Sequence, residues 1–184
     1  MTVTVAPQEF QFVFFDAARI GALAAEVLGL LGLTDDLHVE VDERTPVARV
    51  TLVDGDPVMV RAESGAFEDQ RRPRAMSDVA TTLALARVLL RLRDRRSGGF
   101  AEAPPDDELS LPQVAAWDSY VCGRLHRLGL ALHEPKYLYN FRNRHGFTDA
   151  ADAAFAELWR ADGLAWGAVS AISEGARAVS GAKA

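Results

Sequence analysis

Asp118, Cys122 and His126 are the residues whose types and spacing come nearest to a catalytic arrangement. They recur every four residues in a stretch with helical periodicity, so we expect them on one face of one helix. An imidazole can hold a cysteine as its thiolate, and a carboxylate can orient that imidazole. The same three groups, together with His133, could ligate zinc. The alternative is that Cys122 is an inert buried side chain, and we favour it because three groups on one straight helix rarely converge.

The segment from Lys136 to His145 interleaves aromatic and basic side chains and is a second candidate. Its candidate binding residues are Lys136, Tyr137, Tyr139, Arg142 and Arg144. Aromatic rings can stack on nucleobases while cations contact phosphates. In the other interpretation, Tyr137 and Phe141 pack inward at helical spacing and the arginines face solvent. The pattern matches no nucleic-acid-binding motif, so nucleic acid is a possible partner but not the favoured one.

A cluster of arginines between residues 71 and 96 is the third candidate. This stretch holds 8 bases and 2 acids, whereas residues 1–70 hold 4 bases and 13 acids. The candidate binding residues are Arg71, Arg72, Arg74, Arg87, Arg91 and Arg95, the last three spaced as one row along a helix. Clustered guanidinium groups suit carboxylates and phosphates, which indicates an acidic protein surface or an anionic small molecule as partner. Alternatively, these arginines pair with the acidic first 70 residues.

Absent motifs narrow the range of functions. The sequence has no Gly-x-Gly-x-x-Gly, no Gly-x-x-x-x-Gly-Lys-Ser/Thr, no Gly-x-Ser-x-Gly and no Cys-x-x-Cys. We therefore expect no cofactor and no stoichiometric metal. His38, Glu40 and Asp42 alternate on one face of a predicted strand and could bind a divalent cation, although exposed strands commonly alternate in this way.

Composition indicates a globular protein of the cytoplasm. The 184 residues are 49% hydrophobic and 25% charged, with a net charge of −6 and a single cysteine. A single thiol excludes an internal disulfide. No basic segment followed by an apolar one opens the chain, and no apolar run approaches the 20 or so residues that span a bilayer. We expect no membrane association, and the sequence does not indicate the oligomeric state.

The elements that must position these residues are predicted from periodicity and capping signals. We expect strands at 10–14, 37–41, 48–53 and 58–60, with a hairpin turn at Asp54-Gly55. Helices are expected at 17–31, between Asp16 and Gly32, and from 78 to 96. Beyond a surface loop at 97–111, helices are expected over 112–131, with an apolar stripe that reaches Leu132, after Thr148 or Asp149, and from Leu164 through Val179.

The predicted fold class is α+β, an antiparallel β-meander with flanking helices followed by a helical C-terminal half packed into one core. The predicted organisation is an α+β half at 1–96, a surface loop or linker at 97–111 and a helical half at 112–180, all in one fused domain.

The order of helix, strand meander and long helix resembles that of small metalloprotease scaffolds. Those enzymes carry His-Glu-x-x-His on the long helix, and residues 77–85 contain no histidine. We therefore do not assign the chain to that family.

The favoured function is non-catalytic binding or regulation, in which an arginine-rich surface and amphipathic helices engage an acidic partner or an anionic ligand. The alternative is an enzyme with a Cys/His-based site on the helix at 112–131, and nucleic-acid binding comes third. The main reason for this order is that no set of residues combines a nucleophile, a base and a stabilising group at convincing spacing.

Overall fold

The computed structural model describes residues 1–181 and divides the chain into two compact units. We call Met1–Arg93 the N-terminal unit and the part that begins at Asp94 the C-terminal unit. The strands are β1 (Val3–Ala6), β2 (Leu37–Asp42), β3 (Val50–Val53), β4 (Val58–Glu63), β5 (Glu68–Asp69) and β6 (Arg72–Met76). The helices are α1 (Ala17–Leu31), α2 (Asp78–Arg96), α3 (Leu111–Arg127), α4 (Glu134–His145), α5 (Asp149–Arg160) and α6 (Trp166–Gly181).

Helix α1 begins and ends where its sequence predicts. The Asp16 carboxylate accepts a hydrogen bond from the Arg19 backbone N–H at 3.1 Å, which satisfies one of the unpaired donors of the first turn. Gly32 adopts a left-handed conformation with φ of 65° and closes the last turn. The prediction of a helix at 17–31 with these two caps is confirmed.

The larger sheet of the N-terminal unit is mixed, with strand order β1-β2-β4-β3. Strands β1, β2 and β4 run parallel, and only β3 is antiparallel to its neighbour β4. The predicted combination of helices and strands is confirmed, but the antiparallel meander is wrong. The turn at Asp54-Gly55 does join an antiparallel pair, yet β4 then pairs with β2 and leaves β3 at the edge of the sheet.

One face of this sheet is buried and the other faces solvent. In β2, the side chains of Leu37, Val39 and Val41 are buried, whereas Glu40 and Asp42 are exposed. This alternation follows from the two-residue period of a strand. The buried side chains form part of the core of the N-terminal unit.

The predicted strand at 10–14 is wrong. These residues form bends with a single bridge from Phe14 to Ala75, and the first strand is Val3–Ala6, which pairs with β2. A short hairpin of β5 and β6, which the sequence did not predict, precedes α2. The chain around the predicted arginine cluster is therefore more ordered than a simple loop.

Helix α2 matches its predicted bounds of 78–96, although the boundary between the two units falls within its last turn. The Ser77 hydroxyl accepts a hydrogen bond from the Ala80 N–H at 3.2 Å at the start of the helix. Within the N-terminal unit, Arg93 donates from Nη1 to the carbonyl of Leu31 at 3.0 Å, at the C-terminal end of α1. A side chain of α2 thus satisfies a helix-end carbonyl that the helical ladder leaves open.

The predicted helical C-terminal half is confirmed, with differences in its elements. Ser110 and Gln113 form a reciprocal capping box at the start of α3. Helix α3 ends at Arg127, before Gly129 with its φ of 92°, so the predicted stripe that extended to Leu132 was too long. Helix α4 was not predicted as a separate helix. Thr148 caps α5 as expected, and the side chain of Val179 lies outside the described residues.

An aromatic cluster forms the centre of the C-terminal unit. Phe100 stacks against Trp117 with ring centroids 5.0 Å apart, and Trp117 lies 5.4 Å from Trp166. A Cβ built on Gly123 would lie 2.0 Å from the carbonyl oxygen of Trp159. The close approach of α3 and α5 therefore requires a glycine at this position.

Helices that are both long enough and apolar enough to cross a bilayer are absent from residues 1–181.

Candidate binding surface

The three predicted catalytic residues lie on α3 at different depths. Cys122 has no exposed surface, Asp118 is half-buried and His126 is exposed. The His126 ring packs near the ring of Trp159, with centroids 5.8 Å apart. A thiol without solvent exposure reaches a substrate only if α3 moves away from its neighbours. The geometry thus offers no open nucleophile at Cys122.

The candidate residues of α4 divide into two groups. Lys136, Tyr139 and Arg144 are exposed. Tyr137 is half-buried, with its ring 5.7 Å from that of Trp159. Arg142 is also half-buried and is engaged by a carboxylate of α5. The predicted aromatic and basic segment therefore contributes only part of its side chains to the surface.

The Arg142 guanidinium and the Asp152 carboxylate form a bidentate ion pair between α4 and α5. Nε donates to Oδ1 at 2.7 Å and Nη2 to Oδ2 at 2.5 Å. The contact lowers the pKa of Asp152 and raises that of Arg142, because each charge is stabilised by the other. Two parallel bonds of this kind fix the orientation of both side chains. Arg142 therefore serves the packing of the helices.

The arginines of α2 also differ in their surroundings. In the N-terminal unit, Arg87 and Arg91 are half-buried. In the C-terminal unit, Arg95 donates to the carbonyls of Ala103 and Pro104 and to the carboxylate of Asp106, at 2.6 to 3.2 Å. Arg95 thus holds the loop that the sequence predicted at 97–111.

A buried ion pair joins the end of α2 to α3 within the C-terminal unit. Arg124 donates to both carboxylate oxygens of Asp94, at 2.7 and 2.5 Å, and the Trp117 indole N–H donates to the same carboxylate at 3.0 Å. The guanidinium carbon of Arg124 lies 3.9 Å from the ring centroid of Tyr120. Both charged side chains are less than one tenth exposed. This network is enclosed and holds the helices together.

His145 and Ser173 form a second buried polar contact in the C-terminal unit. The His145 Nδ1 lies 3.1 Å from the carbonyl oxygen of Phe141, which can only accept, so Nδ1 carries the proton. Nε2 then accepts from the Ser173 hydroxyl at 2.8 Å. Burial lowers the pKa of His145 and favours this neutral form. Both side chains are enclosed, at 2% and 1% exposure, so the pair links α4 to α6 and is closed to substrate.

The exposed face of the larger sheet forms a shallow depression of about 500 Å³ that includes Glu40 and Asp42. Arg61 pairs with Glu40 at 3.0 Å, and Arg49 pairs with Glu63 at 3.4 Å. The Asp42 carboxylate accepts hydrogen bonds from Thr45 and from the Arg44 backbone, and these lower its pKa. The carboxylates of this face are therefore engaged in ion pairs or in local hydrogen bonds.

His38 of the same face shares a hydrogen bond with Thr4 at 2.8 Å. Across residues 1–181, no three His, Cys, Asp or Glu side chains gather closely enough to hold a metal ion. This finding includes the predicted cation ligands His38, Glu40 and Asp42.

The hairpin of β5 and β6 displays Arg71, Arg72 and Arg74, which we call the hairpin arginines. All three are exposed. The Asp69 carboxylate accepts hydrogen bonds from the Arg71 backbone at 2.8 Å and from the Arg72 guanidinium at 3.1 Å, and these lower the pKa of Asp69. Glu68 accepts from the Arg74 backbone at 3.3 Å. The two acids of the hairpin thus stabilise its turn.

Two of the hairpin arginines keep their guanidinium groups available. Arg72 is paired with Asp69. In the part of the chain that the structure describes, no carboxylate lies within ion-pair distance of the guanidinium of Arg71 or Arg74. Arg74 also has a φ of 65°, a region that L-residues seldom occupy. Hydrogen bonds to Asp69 and Glu68 hold the backbone at Arg71 and Arg74.

Residues 10–15, which we call the phenylalanine loop, lie beside the hairpin. The Phe14 N–H donates to the Arg74 carbonyl at 2.8 Å. Phe14 is 80% exposed and Phe12 is 47% exposed, whereas the intervening Val13 is buried. The guanidinium carbon of Arg44 lies 5.1 Å from the centroid of the Phe12 ring. The structure thus joins exposed phenylalanines to exposed arginines, a combination that the sequence analysis missed.

Comparisons with protein-family models, with curated proteins and with solved structures found no significant match to this chain.

Proposed function

We propose that this chain is a binding protein that engages an acidic protein surface through the hairpin arginines. The observation that carries the proposal is the exposure of Arg71 and Arg74 without a carboxylate partner among residues 1–181. Guanidinium groups present forked donors that match carboxylates, so unpaired ones at a surface favour an acidic ligand.

The hairpin supports the proposal because it is ordered before any partner binds. Asp69 holds the turn through the Arg71 backbone, and Glu68 holds the Arg74 backbone. An ordered backbone loses less conformational entropy on association than a flexible one. The cations are therefore presented at little further cost in backbone entropy.

The overall charge favours an acidic protein over nucleic acid. The N-terminal unit has 10 bases and 14 acids, hence a net charge of −4, and the whole chain carries −6. Nucleic acids are dense polyanions, and proteins that bind them usually carry a net positive field over the binding face. A local pair of cations on a negatively charged unit is better suited to the carboxylates of an acidic protein segment than to the denser charge of a nucleic acid.

The other predicted binding residues are not part of the proposed hairpin site. Arg87 and Arg91 are half-buried, and Arg95 and Arg142 are engaged in internal hydrogen bonds. Lys136, Tyr137, Tyr139 and Arg144 form the candidate surface of α4, which would bind independently of the hairpin.

Fluorescence anisotropy with labelled octaglutamate tests the proposal, with octalysine and a single-stranded oligothymidine as comparison probes. We expect octaglutamate to bind more tightly than the other two probes. Its affinity should fall as the salt concentration rises. The double substitution Arg71→Glu and Arg74→Glu should weaken octaglutamate binding about tenfold, since each exposed charge contributes roughly 0.2–1 kcal/mol and reversal removes an attraction and adds a repulsion.

The matched control is Arg160→Glu with Arg177→Glu, which changes the net charge equally at two exposed arginines of the C-terminal unit that lie outside the candidate surface of α4. This control should alter octaglutamate binding less than twofold. Equal losses in both double variants would show that only net charge matters and would contradict the proposal, as would the absence of octaglutamate binding.

A further inference from the structure

We propose that the hairpin arginines and the phenylalanine loop form one docking surface for an acidic protein segment that carries apolar side chains between its carboxylates. This inference rests on the proposed function and adds a requirement for an apolar component. Its members are Phe12, Phe14, Arg44, Arg71 and Arg74, which we call the docking surface.

The backbone ties the two parts of this surface together. Phe14 donates its N–H to the Arg74 carbonyl at 2.8 Å and forms a bridge with Ala75. The exposed ring of Phe14 and the exposed guanidinium of Arg74 therefore leave neighbouring strands of backbone. Because the backbones of Phe14 and Arg74 adjoin, a bound segment of several residues is long enough to reach both side chains.

A second set of bonds holds the other end of the phenylalanine loop. The Glu43 carboxylate accepts hydrogen bonds from the backbone N–H groups of Gln11 and Phe12, at 2.7 and 2.6 Å. Arg44, the next residue, places its guanidinium beside the Phe12 ring. The loop is thus anchored at Phe12 and at Phe14, and both anchors also bring an arginine to the surface.

The phenylalanine loop is connected to the core of the N-terminal unit through its less exposed rings. Phe10 packs edge-on against Phe15 at 5.5 Å, and Phe15 lies 6.4 Å from Phe67, which has no exposed surface. The inward rings therefore support the loop, while Phe12 and Phe14 face outward. The backbone that carries Phe12 and Phe14 is thus held before binding and loses little freedom when a partner covers the two rings.

The composition of the surface indicates the composition of the partner. Covering exposed aromatic rings with apolar groups is favourable because it removes apolar surface from water. In residues 1–181, no carboxylate lies within ion-pair distance of the guanidinium groups of Arg44, Arg71 and Arg74. Exposed apolar rings near cations that have no ion-pair partner suit a segment that carries both apolar side chains and carboxylates. Nucleobases could also stack on the rings, and the oligothymidine probe tests that alternative.

Two labelled heptapeptides of equal charge test the inference. In Glu-Glu-Leu-Glu-Leu-Glu-Glu the leucines are two positions apart, as Phe12 and Phe14 are, and in the second peptide serine replaces both leucines. We expect the leucine peptide to bind at least tenfold more tightly than the serine peptide. Phe14→Ala should lower the affinity for the leucine peptide about tenfold and change the affinity for the serine peptide less than twofold.

Two further variants control this measurement. Phe147→Ala removes a ring that is 64% exposed in the C-terminal unit and should leave both affinities within twofold. Phe14→Gln removes the ring but keeps a side chain of moderate length, and should reproduce the effect of Phe14→Ala. Because Phe14 is 80% exposed, we expect both variants to fold as the parent does.

The outcomes separate this inference from the proposed function. Equal affinities for the two heptapeptides, with loss of both in the Arg71→Glu and Arg74→Glu variant, would overturn the inference and leave the proposed function standing. Failure of octaglutamate and of both heptapeptides to bind would overturn both. Tighter binding of oligothymidine, lost in Phe14→Ala, would overturn the inference in favour of base stacking.

Discussion

The hairpin arginines of the N-terminal unit and the arginines at the helix ends of the C-terminal unit have different roles. In the N-terminal unit, Arg71 and Arg74 expose their guanidinium groups without a carboxylate partner among residues 1–181. In the C-terminal unit, Arg95, Arg124 and Arg127 donate to carbonyls or carboxylates of the same unit. The comparison shows that the number of arginines in a stretch of sequence is a poor guide to where a ligand binds. What distinguishes a candidate binding arginine is the absence of an internal acceptor.

The architecture of each unit explains the difference. Packed helices end in carbonyl groups that have no partner in the helix, and these groups are natural acceptors for long side chains. Arg127 donates to the carbonyls of Trp159 and Ala161 at the C-terminal end of α5, at 2.6 and 2.5 Å. Among residues 1–181, no carbonyl or carboxylate accepts a hydrogen bond from the guanidinium of Arg71 or Arg74.

The largest expected effect concerns the buried pair of the C-terminal unit. Asp94→Ala leaves Arg124 enclosed without its carboxylate and removes the acceptor of the Trp117 indole. We expect the free energy of unfolding of this unit to fall by about 3–5 kcal/mol, the usual loss when one partner of a buried pair is removed. Urea denaturation followed by tryptophan fluorescence measures it.

Asp94→Ala combined with Arg124→Met serves as the control, because it removes the unpaired charge as well. This double variant should recover part of the lost stability. If Asp94→Ala cost less than about 1 kcal/mol, the internal role that we assign to Arg124 would be wrong.

An intermediate effect is expected at His145. His145→Ala leaves the Ser173 hydroxyl buried without its acceptor, so we expect a loss of about 1–3 kcal/mol. Burial lowers the pKa of His145 in the folded state below the value of 6.5 of the unfolded chain. The unfolded state therefore binds the proton first, and stability is retained above pH 6.5 and falls as the pH drops below that value.

Urea denaturation at a series of pH values checks this second prediction. The slope of stability against pH just below 6.5 should decrease in His145→Ala and remain unchanged in His133→Ala, which alters an exposed histidine. An unchanged slope in His145→Ala would mean that other groups cause the pH dependence.

The smallest effect is expected at the hairpin arginines. Arg71→Ala and Arg74→Gly should each change the free energy of unfolding by less than about 0.5 kcal/mol, as is usual for exposed side chains. Glycine at position 74 relieves the φ of 65° but adds freedom to the unfolded chain, and the two effects nearly cancel. Thermal unfolding followed by circular dichroism tests this expectation.

Arg93→Ala is the matched comparison in the same unit, because Arg93 donates to the carbonyl of Leu31. Its loss should cost about 1 kcal/mol, the typical contribution of a single hydrogen bond. Hairpin variants as damaging as Arg93→Ala would show that Arg71 and Arg74 also serve the fold.

Local signals in the sequence predicted the elements that begin and end with their own caps. Helix α1 lies between Asp16 and Gly32, and α2 has its predicted bounds. The end of α3 was also encoded locally, since Gly129 interrupts the stripe that was extended to Leu132. Helix α4 was harder to recognise because only Phe141 and His145 are buried along it.

The partners that shape the docking surface are distant in sequence. Phe10, Phe12 and Phe14 alternate as the residues of a strand do. The carboxylate of Glu43, however, accepts hydrogen bonds from the backbone N–H groups of Phe12 and Gln11, which are 31 and 32 residues away. The parallel pairing of β2 with β4 is likewise a long-range choice. The arginines were identified from the sequence, whereas their exposure and the neighbouring rings depend on contacts that no local pattern contains.

The aromatic cluster of the C-terminal unit has a consequence for spectroscopy. All three tryptophans and all three tyrosines of the chain follow Asp94, and the N-terminal unit contains only phenylalanines as aromatic residues. Intrinsic tryptophan and tyrosine fluorescence therefore originates in the C-terminal unit. A Phe14→Trp substitution would give the N-terminal unit a chromophore of its own, placed at the docking surface.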